Sequence, residues 1–333
     1  MATHSPRLLV TLPASSELRA AILDRLRGVP VAFTDPADVG PWPTAEALLV
    51  GNLHRELPHW RADLAPRLRF VQQLFTGLDR FPFSAFGPDV AIAGNVGAYA
   101  PFVAEHAVAL VLALAHEIVP NFEKVRRGRL RPPTPNRYLI GGTALVLGFG
   151  EIGRETADRL RALGLRVEGV GRTPDPRPGA DRMYGASELA AALAGADVIV
   201  ECRPLTRATR GTIDAAALNA MRPAAIFVNV GRAATVDETA LYEHLRDHPA
   251  FRAGTDVWWR EDFEAGELGS SHAFTELPNF LGSPHVAGVG SAARARAESL
   301  ALENLVRFFA GARPLHVADR ADYGDGPATR PPA

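Results

Sequence analysis

Four ionisable side chains stand just beyond apolar, strand-like runs in the C-terminal half of this sequence. Arg232 follows IFVNV, Asp256 and Glu261 flank AGTDVWWRE, and His285 follows FLGS. In an open parallel sheet the ligand crevice lies outside the carboxyl ends of the strands, so residues at those ends are placed for chemistry. A guanidinium can hold an anionic substrate, an imidazole can move a proton, and a carboxylate can keep that imidazole protonated. Together these groups meet the needs of 2-oxo acid reduction.

A second constellation supplies a place for the reductant. The apolar run Ala144-Leu145-Val146-Leu147 passes directly into Gly148-Phe149-Gly150-Glu151-Ile152-Gly153, and a helical pattern follows as far as Gly164. A G-x-G-x-x-G spacing between a strand and a helix is a dinucleotide fingerprint. Gly148 allows the tight turn, Gly150 lets backbone approach a pyrophosphate at the helix N-terminus, and Gly153 lets helix and strand pack closely.

The elements that must carry these residues read as two α/β halves. From LLVTL to VAIAG, short β-like runs alternate with helical patterns, the rhythm of a small parallel α/β domain. From Pro101 to about Arg127, apolar residues run nearly all round a helix, which predicts a buried spine. A second alternation follows the proline-rich segment 131–136. Its strands LRVEGV, DVIVEC, AIFVNV, AGTDVWW and FLGSPHV are almost uniformly apolar, as a parallel sheet covered on both faces requires. The last helix spans Ser291 to about Phe309, and the polar tail after His316 is expected to be mostly disordered.

The 333 residues suggest about two domains. A net charge of −1 gives no global pull toward nucleic acid or an anionic membrane. The single cysteine, Cys202, forms no internal disulfide and fits a reducing compartment. The longest apolar stretch, Val103 to Val119, is interrupted by Glu105, His106, His116 and Glu117, so no span is expected. The expectation is a soluble cytoplasmic protein with no metal.

Five segments in this order give the chain a resemblance to the D-isomer-specific 2-hydroxyacid dehydrogenase family, with its glyoxylate and hydroxypyruvate reductases. They are VAEHAVALVLAL at 103–114, GFGEIG at 148–153, RPLTRATRG at 203–211, NVGRAATVDETAL at 229–241 and SPHVAG at 283–288. The resemblance implies a dinucleotide-binding domain, 97–288, inserted into a flavodoxin-like substrate domain, 1–96 plus 289–320, with 321–333 as a disordered tail. It gives Arg232 the substrate carboxylate and carbonyl, and His285 the proton for the carbonyl oxygen. Glu261 would hold His285, although the family's Glu-Pro is Glu261-Asp262 here and Glu264 lies close enough to compete. Thr76, Gly77 and Leu78 would form the substrate loop, the backbone N–H groups of Gly77 and Leu78 gripping the carboxylate. Asp256 would meet the nicotinamide carboxamide, with Val230 and Pro204 beside the cofactor. The Glu105-His106 pair is implied to be structural, Trp258 and Trp259 to be packing residues, and the basic segment 126–131 to be a turn in a homodimer contact arm.

The cofactor is decided at the end of the second strand of the dinucleotide unit. An NAD enzyme places an acid there for the ribose 2′-hydroxyl. Here VEGV runs into Gly171-Arg172-Thr173-Pro174, and Glu168 lies too early on the strand. A guanidinium binds a 2′-phosphate in a forked fashion, so NADP(H) is preferred and NAD(H) remains possible. Arg203 is expected to add a second positive charge or to stack on the adenine. Two other functions share this fold. A formate or phosphite dehydrogenase is disfavoured, because formate enzymes carry glutamine in place of Glu261 and asparagine roughly where Tyr99 stands. A dinucleotide-sensing corepressor would not need Arg232, Glu261 and His285 intact.

Overall fold

A computed structural model describes residues 5–35, 42–132, 134–263 and 265–323. The chain divides into two compact units. One contains the chain up to Tyr99 and resumes at Gly290, and the other is Ala100–Val289.

In the first unit, β1 (Leu8–Val10), α1 (Ser16–Arg25), β2 (Val31–Phe33), β3 (Ala47–Val50), α2 (Leu53–Glu56), β4 (Phe70–Gln73) and β5 (Ala91–Ala93) follow one another. The strands form a parallel sheet in the order β2-β1-β3-β4-β5, the flavodoxin arrangement. Alternation along the strands sends Leu8, Val10, Leu49 and Phe70 to one core and Leu9, Leu48, Val50 and Val71 to the other. Both faces are therefore covered, and this is why the strands read as continuous apolar runs.

The second unit opens with α3 (Ala100–Ala115) and α4 (Ile118–Arg126). A single buried helix over this region is not what forms. Glu117 adopts a left-handed φ of 49° at the break, and Pro120 sits in the first turn of α4, where its missing N–H costs nothing. Only α3 is a buried spine. Along α4, Ile118, Val119, Phe122 and Val125 are 55, 48, 58 and 68% exposed. No single helix among the described residues is long and apolar enough to cross a membrane.

After these come β6 (Thr143–Leu147), α5 (Glu151–Ala162), β7 (Arg166–Val170), β8 (Arg182–Tyr184), α6 (Leu189–Ala194), β9 (Val198–Glu201), α7 (Ala215–Ala220), β10 (Ile226–Asn229), α8 (Glu238–Asp247) and β11 (Arg252–Thr255). A hairpin of β12 (Arg260–Asp262) and β13 (Glu267–Gly269) leads to β14 (Phe280–Gly282). Seven strands make a parallel sheet in the order β14-β11-β10-β9-β6-β7-β8. The fold is thus α/β, with a doubly wound, Rossmann-type sheet in this unit.

The last helix, α9 (Ser291–Phe309), packs Ala297, Ala301 and Leu305 into the core of the first unit. The chain beyond His316 is ordered further than its composition suggested. Val317 bridges to Ala93, Ala318 donates to the Ile92 carbonyl, and Tyr323 stacks on Phe83 with centroids 5.4 Å apart. The Arg320 guanidinium donates to the carbonyls of Phe86, Gly87 and Val90. Residues 321–323 therefore belong to the fold, and the rest of the expected disordered tail, 324–333, lies outside the described residues.

One buried histidine makes the second unit acid-sensitive. His244 on α8 packs against Phe251 and stacks on His248, and burial followed by the His248 charge lowers its pKa to about 4. The folded pKa lies below that of the unfolded chain, so unfolding takes up a proton as pH falls from about 6.5 toward 4. Up to about 3 kcal/mol of stability is lost across that window. Melting curves at pH 7.5 and 5 should therefore converge for His244→Phe relative to the unsubstituted chain. An unchanged pH dependence would show that His244 is not the group responsible.

Candidate active site

The register of the large sheet puts six strand ends in one line. Val170 pairs with Leu147, Leu147 with Glu201, Glu201 with Asn229, Asn229 with Thr255, and Thr255 with Gly282. The glycine turn, Arg172, Arg203, Arg232, Asp256 and His285 each follow one of these six residues within three positions in the chain. Sequence pattern alone could place each residue after a strand; the pairing places them along one edge.

The glycine turn fits a dinucleotide phosphate by three separate local reasons. Gly148 has φ 88°, and a Cβ there would lie 2.8 Å from Arg203 Cγ. A Cβ on Gly153 would lie 2.0 Å from the Gly148 carbonyl oxygen, so helix and turn can touch only with glycine at that position. Gly150 differs: a Cβ there would meet nothing within 4 Å. Gly150 also heads α5 with no side-chain cap, whereas Asp214 and Asp237 accept from the first turns of α7 and α8. The N–H groups of Glu151, Ile152 and Gly153 meet no acceptor among the described residues. A 12-residue helix with an open, uncapped N-terminus favours an anion. Phe149 is buried beneath this turn against Gly169, where a Cβ would lie 2.5 Å from its ring.

Around the adenosine end, the acids are occupied. The Glu168 carboxylate is buried, accepts from Tyr184 Oη at 3.0 Å and pairs with Arg166. Arg172 follows β7 on the surface, and Thr173 Oγ1 donates to Asp175 Oδ2 at 2.6 Å. Arg203 departs from expectation. Its Nε donates to both oxygens of the fully buried Glu201 at 3.0 Å, and its backbone N–H donates to Oε1 at 2.8 Å. The second positive charge expected of Arg203 is thus neutralised by Glu201, and the side chain serves as a wall for Gly148. Between them in the chain, the half-buried Cys202 has its thiol pushed above its ordinary range by burial and the Glu201 charge.

The candidate proton-transfer pair, Glu261 and His285, is in contact. Glu261 Oε1 lies 2.7 Å from His285 Nδ1 and also accepts from the Trp258 N–H at 2.9 Å. An ionised carboxylate only accepts, so the His285 proton on that side is fixed on Nδ1 and Nε2 is the atom that exchanges a proton. The Glu261 side chain is 7% exposed and that of His285 29%, so the base is anchored while the imidazole reaches solvent. Phe263 packs edge-on against the imidazole at 5.2 Å. Glu264, the competing acid, lies outside the described residues.

Asp256 plays a different part from the one expected. It is 1% exposed, and its Oδ1 accepts from Ser283 Oγ at 2.6 Å and Val286 N at 2.9 Å, while Oδ2 accepts from Ala287 N at 2.9 Å. In place of an open ligand for a carboxamide, the carboxylate ties down the loop that carries His285. Trp258 supports the same loop through Nε1 to the Ser283 carbonyl. Trp259 packs away from it, stacked on Phe274 at 5.2 Å.

Arg232 is held at its backbone. Asn229 Nδ2 and Thr235 Oγ1 both donate to its carbonyl, at 3.1 and 2.8 Å, and Asn229 Oδ1 accepts the Gly231 N–H. The Arg232 Nη1 donates to the Gly231 carbonyl at 2.8 Å. Asn229 is a positioning residue that sequence reasoning passed over, although a buried amide in IFVN was a visible signal. Val230 follows β10 directly, and Pro204 lies three residues beyond the end of β9.

The loop expected to meet the substrate, Thr76 to Leu78, lies in the first unit. Thr76 Oγ1 donates to the Asn95 carbonyl and Gln73 Nε2 to the Gly77 carbonyl. The backbone N–H groups of Gly77 and Leu78 meet no acceptor among the described residues, which leaves two adjacent donors for an anion.

A doubly wound sheet with an open glycine turn and a carboxylate–imidazole pair along one edge defines a nicotinamide-dependent oxidoreductase. The sequence model of the D-isomer specific 2-hydroxyacid dehydrogenase NAD binding domain matches residues 108–287. Glyoxylate reductase of Aeropyrum pernix is 32% identical over 267 residues, covering 77% of this chain and 78% of that one. Among solved structures, a candidate formate dehydrogenase from Pyrobaculum aerophilum is 33% identical with a TM-score of 0.80, covering 96% of this chain and all of its own. A D-isomer specific 2-hydroxyacid dehydrogenase from Xanthobacter autotrophicus in complex with NADPH and MES is 27% identical with a TM-score of 0.78, covering 95 and 98%. The chain belongs to the D-isomer-specific 2-hydroxyacid dehydrogenase family.

Proposed function

We propose that this enzyme reduces a small 2-oxo acid, of the size of glyoxylate or hydroxypyruvate, to the D-2-hydroxy acid with NADPH. The observation that carries the reading is the 2.7 Å contact between Glu261 and His285, beside the strand end that presents Arg232. The glycine turn of Gly148, Gly150 and Gly153 would hold the cofactor diphosphate, and when bound the nicotinamide supplies the hydride. Arg232 binds the substrate carboxylate and polarises the carbonyl. His285 delivers the proton from Nε2 to the carbonyl oxygen, and Glu261 stabilises the imidazolium that must be present beforehand. In the oxidation direction His285 takes that proton back. The Gly77 and Leu78 N–H groups of the first unit are donors suited to an anion. The relative from Aeropyrum pernix is named for glyoxylate, which supports the small substrate.

For NADPH the support is Arg172 at the end of β7 and the occupation of Glu168, with the NADPH complex of the Xanthobacter structure beside it. Arg172→Ala should raise KM for NADPH about 30-fold and leave KM for NADH within about threefold, since one guanidinium–phosphate contact is worth roughly 2 kcal/mol. Equal losses for both cofactors would mean that Arg172 covers the adenine face instead. The name of the Pyrobaculum structure raises formate as an alternative. Steady-state assays with glyoxylate, hydroxypyruvate, formate and phosphite separate the two, and turnover confined to the last two would overturn the reading.

The exposed apolar face of α4, Ile118, Val119, Phe122 and Val125, fits burial against a second copy of the chain, and a homodimer is proposed on that ground.

A further inference from the structure

We propose that His106 is a positioning residue for His285, acting through Ser283 and Asp256. The proposal rests on the reading of His285 as proton donor and adds a partner on α3 that reading does not require.

The argument is one of proton counting. Ser283 has one hydroxyl proton, and it lies 2.6 Å from Asp256 Oδ1, a carboxylate that can only accept. Ser283 Oγ is therefore an acceptor toward His106 Nε2, 2.8 Å away, and His106 must carry its proton on Nε2. The same His106 nitrogen is 3.5 Å from Asp256 Oδ1. Direction is thus fixed from His106 through Ser283 to Asp256. Asp256 then accepts the N–H groups of Val286 and Ala287, which flank the far side of His285.

His285 needs such support. Its φ is 53°, a strained left-handed conformation for a non-glycine residue that persists only where surrounding contacts over-determine it. Glu261 holds the ring, while Asp256 holds the backbone on the C-terminal side of His285 and Trp258 Nε1 the Ser283 carbonyl before it. Without the Nε2–H of His106, the Ser283 hydroxyl has no donor on that side and can rotate away from Asp256. The loop then loses one of the bonds that hold its strained turn, and a displacement of about 1 Å at the imidazole is enough to cost about 10²-fold in rate.

Gln can place an N–H near the imidazole Nε2 position, whereas Phe fills the space without a donor. His106→Phe should lower kcat for 2-oxo acid reduction about 10- to 100-fold, with KM for NADPH changed less than about twofold. His106→Gln should stay within about threefold of the parent, and Ser283→Ala should behave like His106→Phe. If His106→Phe does not fold, the comparison of His106→Gln with Ser283→Ala carries the test. A second readout does not depend on turnover: the imidazole Hε1 resonance of His285, assigned by its loss in His285→Asn, should shift or broaden in His106→Phe and Ser283→Ala and hold in His106→Gln. Parent-like kcat in both His106→Phe and Ser283→Ala would overturn the proposal, as would equal losses in His106→Phe and His106→Gln. If the parent reduces no 2-oxo acid, the activity reading fails by itself, and an unshifted His285 resonance in Ser283→Ala would then overturn this inference separately.

Discussion

His285→Ala should reduce kcat for 2-oxo acid reduction about 10³- to 10⁴-fold and leave the Kd of NADPH within about threefold. The size follows from what is removed: the imidazole held by Glu261, and with it the proton that must reach the carbonyl oxygen as hydride arrives. The selectivity follows from where it sits. His285 lies beyond β14 at the edge of the sheet, whereas the diphosphate cradle lies beyond β6, with β11, β10 and β9 between them. Glu261→Gln is the matched control. It keeps size and hydrogen bonding but removes the negative charge beside the imidazole, so kcat should fall about 10²-fold. Steady-state kinetics with isothermal titration of NADPH decide both. A His285→Ala enzyme with parental turnover would remove His285 from the mechanism.

Arg232→Lys should lower kcat/KM for the 2-oxo acid about 10³-fold, with NADPH binding again unchanged. Lysine keeps the charge but not the planar fork that engages a carboxylate with two parallel bonds, and about 4 kcal/mol separates those cases in the transition state. The backbone around Arg232 is locked by Asn229 and Thr235, so the loss reflects the side chain and not a loosened loop. Arg232→Ala should be worse by a further factor of about ten, and added guanidinium should restore part of it. If Arg232→Lys changes KM for NADPH in place of KM for the acid, Arg232 serves the cofactor.

The glycine turn, the strand ends and the order of the two α/β halves were legible in the sequence, because each depends on a local rule: glycine for a close approach, an apolar run for a strand buried on both faces, a polar residue where such a run ends. Less was legible where the deciding contact is distant in the chain. Arg203 reads as an available cation until Glu201, two residues earlier and pointing the same way, is seen to neutralise it. Asp256 reads as a ligand until the loop 27 to 31 residues later closes on its carboxylate. His106 and Ser283 are separated by 177 residues, and nothing in VAEHAV points to SPHVAG. The division of the expected long helix at Glu117 was readable from Pro120, which cannot follow three uninterrupted helical turns without removing a hydrogen bond. The β12–β13 hairpin, which carries Glu261, has too few residues per strand for any periodicity to register.

The central claim is that the aligned strand ends of the large sheet form a site where hydride and proton reach the same carbonyl. Its most direct test is reduction of hydroxypyruvate by NADPH carrying deuterium at C4 of the dihydronicotinamide. The account predicts NADPH consumption that yields D-glycerate with deuterium at C2, abolished in His285→Ala. Absence of turnover with any 2-oxo acid, or formation of the L isomer, would contradict it.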